Sequence, residues 1–126
     1  MGYVEVNVNP HNNNVGDCVV RAIAMAEGKS WDDIFLDLMA KGFLEKRMIE
    51  GNEVWGSYLE EIGYRRYNIP DTCPACYRVS DFVRDNPRGT FVLGTGTHAI
   101  AVIDGNYFDT FDSGSRVPLV CWKKGE

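Results

Sequence analysis

The sequence predicts an α+β fold, with N-terminal helices packed on a C-terminal antiparallel sheet. Three observations predict it. Apolar residues recur at helical spacing between residues 18 and 39, short β-branched and aromatic runs follow between residues 90 and 122, and Gly, Asn, Asp and Ser separate those runs. Helices first and strands later is the pattern of an α+β domain rather than of alternating βαβ units. A chain of 126 residues reads as one domain, 1–126, large enough to bury a core without metal or disulfides.

The elements follow in order. Residues 3–8 alternate and read as a short strand, and Asn9 to Gly16 are turn formers. Asp17 then occupies an N-cap position, and Cys18 opens a helix to about Ala26. Apart from Arg21 that helix is apolar on nearly every side, as a helix at the centre of a fold is. Gly28 ends it. Ser30-Trp31-Asp32-Asp33 resembles a capping box, and Trp31, Ile34, Phe35, Leu38 and Met39 give a second, amphipathic helix that stops at Gly42. A third, weaker helix covers Glu53 to Ile62 behind Asn52, and a fourth follows Ser80 and ends before Pro87. Strands are expected at Thr90–Leu93, His98–Ile103, Tyr107–Phe111 and Val117–Trp122.

Composition bounds the function classes. A formal net charge of −5 disfavours nucleic acid as a partner, because binding it requires cationic neutralisation of phosphates. The basic pairs Lys46-Arg47, Arg65-Arg66 and Lys123-Lys124 are short and far apart, and read as solvated surface. No apolar run is long enough to span a bilayer, and the first residues lack the charged and apolar regions of a signal peptide. The expectation is a cytoplasmic protein, a monomer or weak oligomer, in which the four cysteines are free thiols.

Cys18 is the candidate nucleophile. A cysteine alone is more often a packing residue, but the first turn of a helix offers unpaired N–H groups and the positive end of the macrodipole, which favour a thiolate. A thiol nucleophile needs a base, and the chain has two histidines. His11 lies in the early loop and reads as exposed. His98 opens a strand after Gly94-Thr95-Gly96-Thr97, where small residues leave room for a substrate. Two acids are placed to orient the imidazole, Asp109 and Asp112. A three-residue turn at Asp104-Gly105-Asn106 sets His98 opposite Asp112, whereas a two-residue turn at Asp104-Gly105 brings Asp109 to the histidine's face. The pattern alone leaves both open. The Cys18 N–H and the Asn12 amide, in the run Asn12-Asn13-Asn14, are candidate oxyanion donors; loop formation explains those asparagines equally well.

The segment NNNVGDCVVRAIA resembles the nucleophile segment of papain-like cysteine peptidases, in which an amide residue precedes by six positions a Cys at the start of the central helix. Asn12 falls at that amide position, where the family usually has Gln. THAIAVIDGNYFDTFDSG resembles the family's histidine strand and the strand that returns beside it, with the orienting residue just before a Ser or Pro. On the resemblance Asp112, before Ser113, is the orienting acid. Asp in that role is common in bacterial branches, including the bacteriocin-processing type, and the chain is also similar to small peptidase-like proteins of phages and bacteria. The resemblance implies a Cys18-His98-Asp112 triad without cofactor or metal, Asn12 in the oxyanion hole, and a peptide or protein substrate cleaved at a peptide, isopeptide or related amide bond. The short chain and the lack of an aromatic after Cys18 imply reduced substrate-binding lobes.

Other readings compete. A catalytically inactive papain-like binding module, or an acyltransferase or transglutaminase-type enzyme, would keep the same residues in the same order. Cys73-Pro74-Ala75-Cys76 is half of a zinc signature and also matches a redox motif, but the second pair of ligands is missing and the motif follows a loop rather than a strand. Packing of a loop is the preferred reading. Trp31, Trp55 and Trp122, with several tyrosines, read as core and ordinary surface residues rather than a groove.

Overall fold

The computed structural model describes residues 2–13, 15–49 and 51–125. Among these the chain forms β1 (Gly2–Glu5), α1 (Cys18–Glu27), α2 (Trp31–Glu45), α3 (Asn52–Glu61), β2 (Tyr64–Asn68), α4 (Val79–Asp85), β3 (Thr90–Gly94), β4 (Ala99–Ile103), β5 (Asn106–Asp109) and β6 (Val120–Lys124). The α+β class expected from the sequence is found. The sheet is mixed rather than antiparallel: its order is β1-β5-β4-β3-β6-β2, and β1 runs parallel to β5. The remaining pairings are antiparallel.

Side-chain alternation divides the sheet into two faces. Val92, Ala99, Ala101 and Trp122 face α1, α2 and α3, in a core completed by Ile23, Ile34, Leu38 and Leu59, all four fully buried. Leu93, Ile100, Val102 and Cys121 face the other way, against Val79, Phe82 and Val83 of α4. Helix α1 therefore lies across the centre of the sheet, as its apolar circumference predicts.

The ends of the helices follow local chemistry. Gly28 closes α1 in a left-handed conformation, φ 64°, and its N–H bonds back to the last carbonyls of the helix. The Ser30 hydroxyl accepts the Asp33 N–H and caps α2. Helix α2 does not stop at Gly42 but runs on to Glu45 and ends at Lys46, which is left-handed. Gly42 is there for space: a Cβ would lie 2.7 Å from the Arg47 carbonyl oxygen. The unpredicted strand β2 pairs with β6 at the sheet edge and buries only Tyr64, so its polar residues carry no strand-like alternation.

Asp104-Gly105 forms the two-residue turn between β4 and β5. Both residues have positive φ, 48° and 80°, and Ile103 pairs directly with Asn106. That is the type I′ geometry that Asp-Gly favours, and it excludes the three-residue alternative. Cys73 and Cys76 form a disulfide, S–S 2.05 Å, so the expectation of free thiols fails for this pair and holds for Cys18 and Cys121. Three residues of separation bring two sulfurs within reach whenever the loop between them folds back. Among the described residues no helix is long and apolar enough to cross a membrane.

Candidate active site

The site assembles where the start of α1 meets the start of β4 and the end of β5. Asp17 occupies the cap position of α1 but makes no side-chain cap bond, so the first-turn N–H groups of Cys18, Val19 and Val20 keep no partner within the helix or from the cap. The Asp17 carboxylate turns instead into a buried polar cluster. Its Oδ2 accepts from Asn9 Nδ2 at 3.0 Å and from Trp31 Nε1 at 2.8 Å, and its Oδ1 faces Arg21 Nε at 3.2 Å, an ion pair without aligned hydrogen-bond geometry. Arg21 in turn reaches Thr110 Oγ1 at 3.4 Å, tying the Cys-bearing helix to the end of β5. The carboxylate nearest the nucleophile in sequence is thus paired with a guanidinium. Replacing Trp31 by Phe removes one donor from this buried carboxylate and is expected to cost about 1–3 kcal/mol of stability, measured by urea unfolding.

His98 Nε2 lies 2.6 Å from Asp109 Oδ2, and these side chains are 10% and 4% exposed. The Thr110 N–H donates to the other Asp109 oxygen at 2.8 Å. The buried Ser113 hydroxyl lies against the same carboxylate, short of ideal hydrogen-bond geometry. With Nε2 engaged by Asp109, Nδ1 is the ring nitrogen left, and Cys18 and His98 line the same cavity, near enough for the ring to act on the thiol. Phe111 packs against the imidazole with ring centroids 5.1 Å apart.

The electrostatics agree with the geometry. Burial pushes the Cys18 thiol up, but the His98 ring, the Ala99 N–H and the charges of His98 and Arg21 outweigh it and hold the thiol below its ordinary value. Burial pushes His98 down, yet its bonds to Asp109 and Cys18 raise it to about 9. Burial pushes Asp109 up, and His98, Ser113 and the Thr110 N–H reverse that, leaving it below its ordinary value. Cys121 is the contrast: burial alone raises it to about 12. A depressed thiol beside a raised imidazole favours the thiolate–imidazolium pair.

Two of the proposed site residues are placed elsewhere. Asp112 is exposed and accepts from the Tyr107 hydroxyl and from the Gly114 N–H at 3.0 Å, while Asp109 holds His98. The cause is the two-residue turn, the register under which Asp109 was expected to join the histidine. Asn12 is exposed, with left-handed backbone, and does not line the cavity beside Cys18. Asn14 lies outside the described residues. His11 is exposed, as expected. Among the described residues no cluster of three or more His, Cys, Asp or Glu side chains could hold a metal ion.

A cavity of about 710 Å³ opens from Cys18 and His98 between the start of α1, α2, α3 and β3. Trp31 and Trp55, read from the sequence as core or surface residues, form part of its wall. So does Asn52, passed over as a helix cap: its Oδ1 accepts from Trp55 Nε1 at 3.1 Å, and its Nδ2 has no acceptor among the described residues. An asparagine at a helix start carries too common a signal to be read as a site residue.

Comparison with protein-family models, with curated proteins and with solved structures finds no match for this chain.

Proposed function

We propose that the protein is a papain-like thiol hydrolase that cleaves a peptide, isopeptide or related amide bond, with Cys18 as nucleophile, His98 as base and acid, and Asp109 orienting the imidazole. The observation that carries this reading is that Cys18 and His98 line one cavity, with His98 Nε2 held by the buried Asp109 and with the thiol below and the imidazole above their ordinary ranges. A packing cysteine has no use for such a partner, and Cys121 has none.

In this reading His98 Nδ1 holds the proton taken from Cys18. The thiolate attacks the carbonyl carbon, and the first-turn N–H groups of α1 stabilise the oxyanion. His98 then protonates the leaving amine. Water adds to the thioester with His98 as base, releasing the acid and restoring the thiol. Asp109 keeps Nε2 protonated, so that Nδ1 faces the sulfur throughout.

The test is incubation of the protein with a proteome-derived peptide library, with new termini identified by mass spectrometry, alongside iodoacetamide labelling at neutral pH. Cleavage that Cys18→Ala abolishes is the expected result. Incorporation of an added amine in place of water would redirect the reading to transfer. A Cys18 that resists iodoacetamide would overturn it and leave a binding module on the same scaffold.

A further inference from the structure

We infer that the cavity beside Cys18 selects substrates carrying a bulky, uncharged, apolar group on the acyl side of the scissile bond. This rests on the thiol-hydrolase reading and goes beyond it by naming a substrate class. A volume of about 710 Å³ falls within the range of true ligand pockets, roughly 300–1,000 Å³. Its walls away from the thiol are Trp31, Phe35, Leu38, Ile49, Trp55 and Val120. Trp31 and Phe35 are stacked, with centroids 4.8 Å apart and planes 8° apart, and present a flat aromatic face. Among the described residues no Lys, Arg or Glu lines the cavity; of its charged groups, Asp17 is already paired with Arg21 and bonded to Asn9 and Trp31, and the His98 ring is held by Asp109. Among the described residues no unpaired charge is left there to neutralise a carboxylate or an ammonium on the substrate, and desolvating either unpaired is costly. The neutral Asn52 amide and the Thr97 hydroxyl are polar groups on its wall that can meet a substrate's backbone carbonyl.

The acyl side follows from the position of the first turn of α1. Cys18, Val19 and Val20 both line the cavity and carry the N–H groups available to the oxyanion. A carbonyl whose oxygen points at those groups has both of its substituents near the cavity, and the acyl one is the substituent that stays bound as the thioester while the amine departs. A glycine-rich substrate would leave the space unfilled and gain nothing from it. Gly94 keeps the space open: a Cβ there would lie 2.9 Å from Val120 Cγ1 and 3.3 Å from Trp55 Cη2.

The inference is tested by the rate at which Cys18 is modified by three chloromethyl ketones, acetyl-Leu-Phe, acetyl-Gly-Gly and acetyl-Glu-Glu, with iodoacetamide as an armless reference. In each ketone the Cys18 sulfur displaces chloride from the methylene carbon, and mass spectrometry reads the adduct. The Leu-Phe reagent is expected to react at least about 100-fold faster than Gly-Gly, and Glu-Glu slowest. Phe35→Ala is expected to reduce the Leu-Phe to Gly-Gly ratio about tenfold. Equal rates for Leu-Phe and Gly-Gly, with brisk iodoacetamide labelling, overturn the apolar selection and leave the hydrolase reading standing. Failure of iodoacetamide to label Cys18 overturns both.

Discussion

Asp109→Asn is expected to lower amide hydrolysis by about 10³–10⁴-fold while the protein stays folded, and Asp112→Asn to leave the rate near wild type. The amide is nearly the same size as the carboxylate, so the packing around Ser113 and Thr110 survives. What is lost is the charge that fixes the tautomer. A neutral amide can turn its NH₂ toward His98 Nε2 and place the ring proton on Nδ1, where the thiol requires an acceptor. Asp109 also contributes to holding His98 near 9, so its removal lets the imidazole titrate lower. Two measurements check this: kcat/KM on a cleaved peptide, and the His98 ring-proton titration by NMR. Asp112 bonds to Tyr107 and to the Gly114 N–H on the exposed side of the loop, and it touches neither His98 nor Cys18 by hydrogen bond. A reversed ranking of the two variants would return the orienting role to Asp112.

His98→Ala is expected to reduce hydrolysis by about 10⁴-fold or more, because it removes both the base and the acid. It also returns the Cys18 thiol toward or above its ordinary range, since burial then acts without its main opposing partner. An ordinary thiol is only about 1% thiolate at pH 6.5, so iodoacetamide modification at that pH should fall, by up to about 100-fold. In the wild type the ion pair persists from the depressed value of Cys18 up to about 9, where His98 gives up its proton. Turnover should therefore show an alkaline limb near pH 9 that alkylation of the thiolate does not share. A wild-type alkylation profile rising only above pH 8 would contradict the pairing.

The helices, and the place of Cys18 at the start of the first of them, were legible because their signals are local. The apolar circumference of residues 18–26, the cap at Ser30 and the left-handed stop at Gly28 each depend on a few neighbouring residues. The identity of the orienting acid was not legible. It turns on whether one turn has two residues or three, and the motif Asp112-Ser113 pointed to Asp112 whereas Asp109 is the acid bonded to His98, with Ser113 packed beside it. Strand β2 escaped notice because an edge strand with one buried side chain carries no alternation, and its Arg65 and Arg66 look like loop. The parallel pairing of β1 with β5 depends on residues at opposite ends of the chain. The cavity depends on how three helices and a strand meet. Its members, Trp31 and Asn52 among them, each have a simpler local explanation as core residue or helix cap.

The thiol and the imidazole belong to opposite halves of the chain: Cys18 opens the first helix, and His98 and Asp109 flank the tight hairpin of β4 and β5. Of the groups that lower the thiol's pKa only Arg21 belongs to the N-terminal half, and the larger ones, the His98 ring and the Ala99 N–H, come with the C-terminal sheet. On the proposed reading, a reactive Cys18 therefore requires the C-terminal sheet to be in place. A nascent or truncated chain ending before β4 carries an ordinary cysteine, slow toward electrophiles and carbonyls alike. On that reading the tertiary structure acts as a safety catch, since any state in which the β4–β5 hairpin is undone returns the thiol toward its ordinary range.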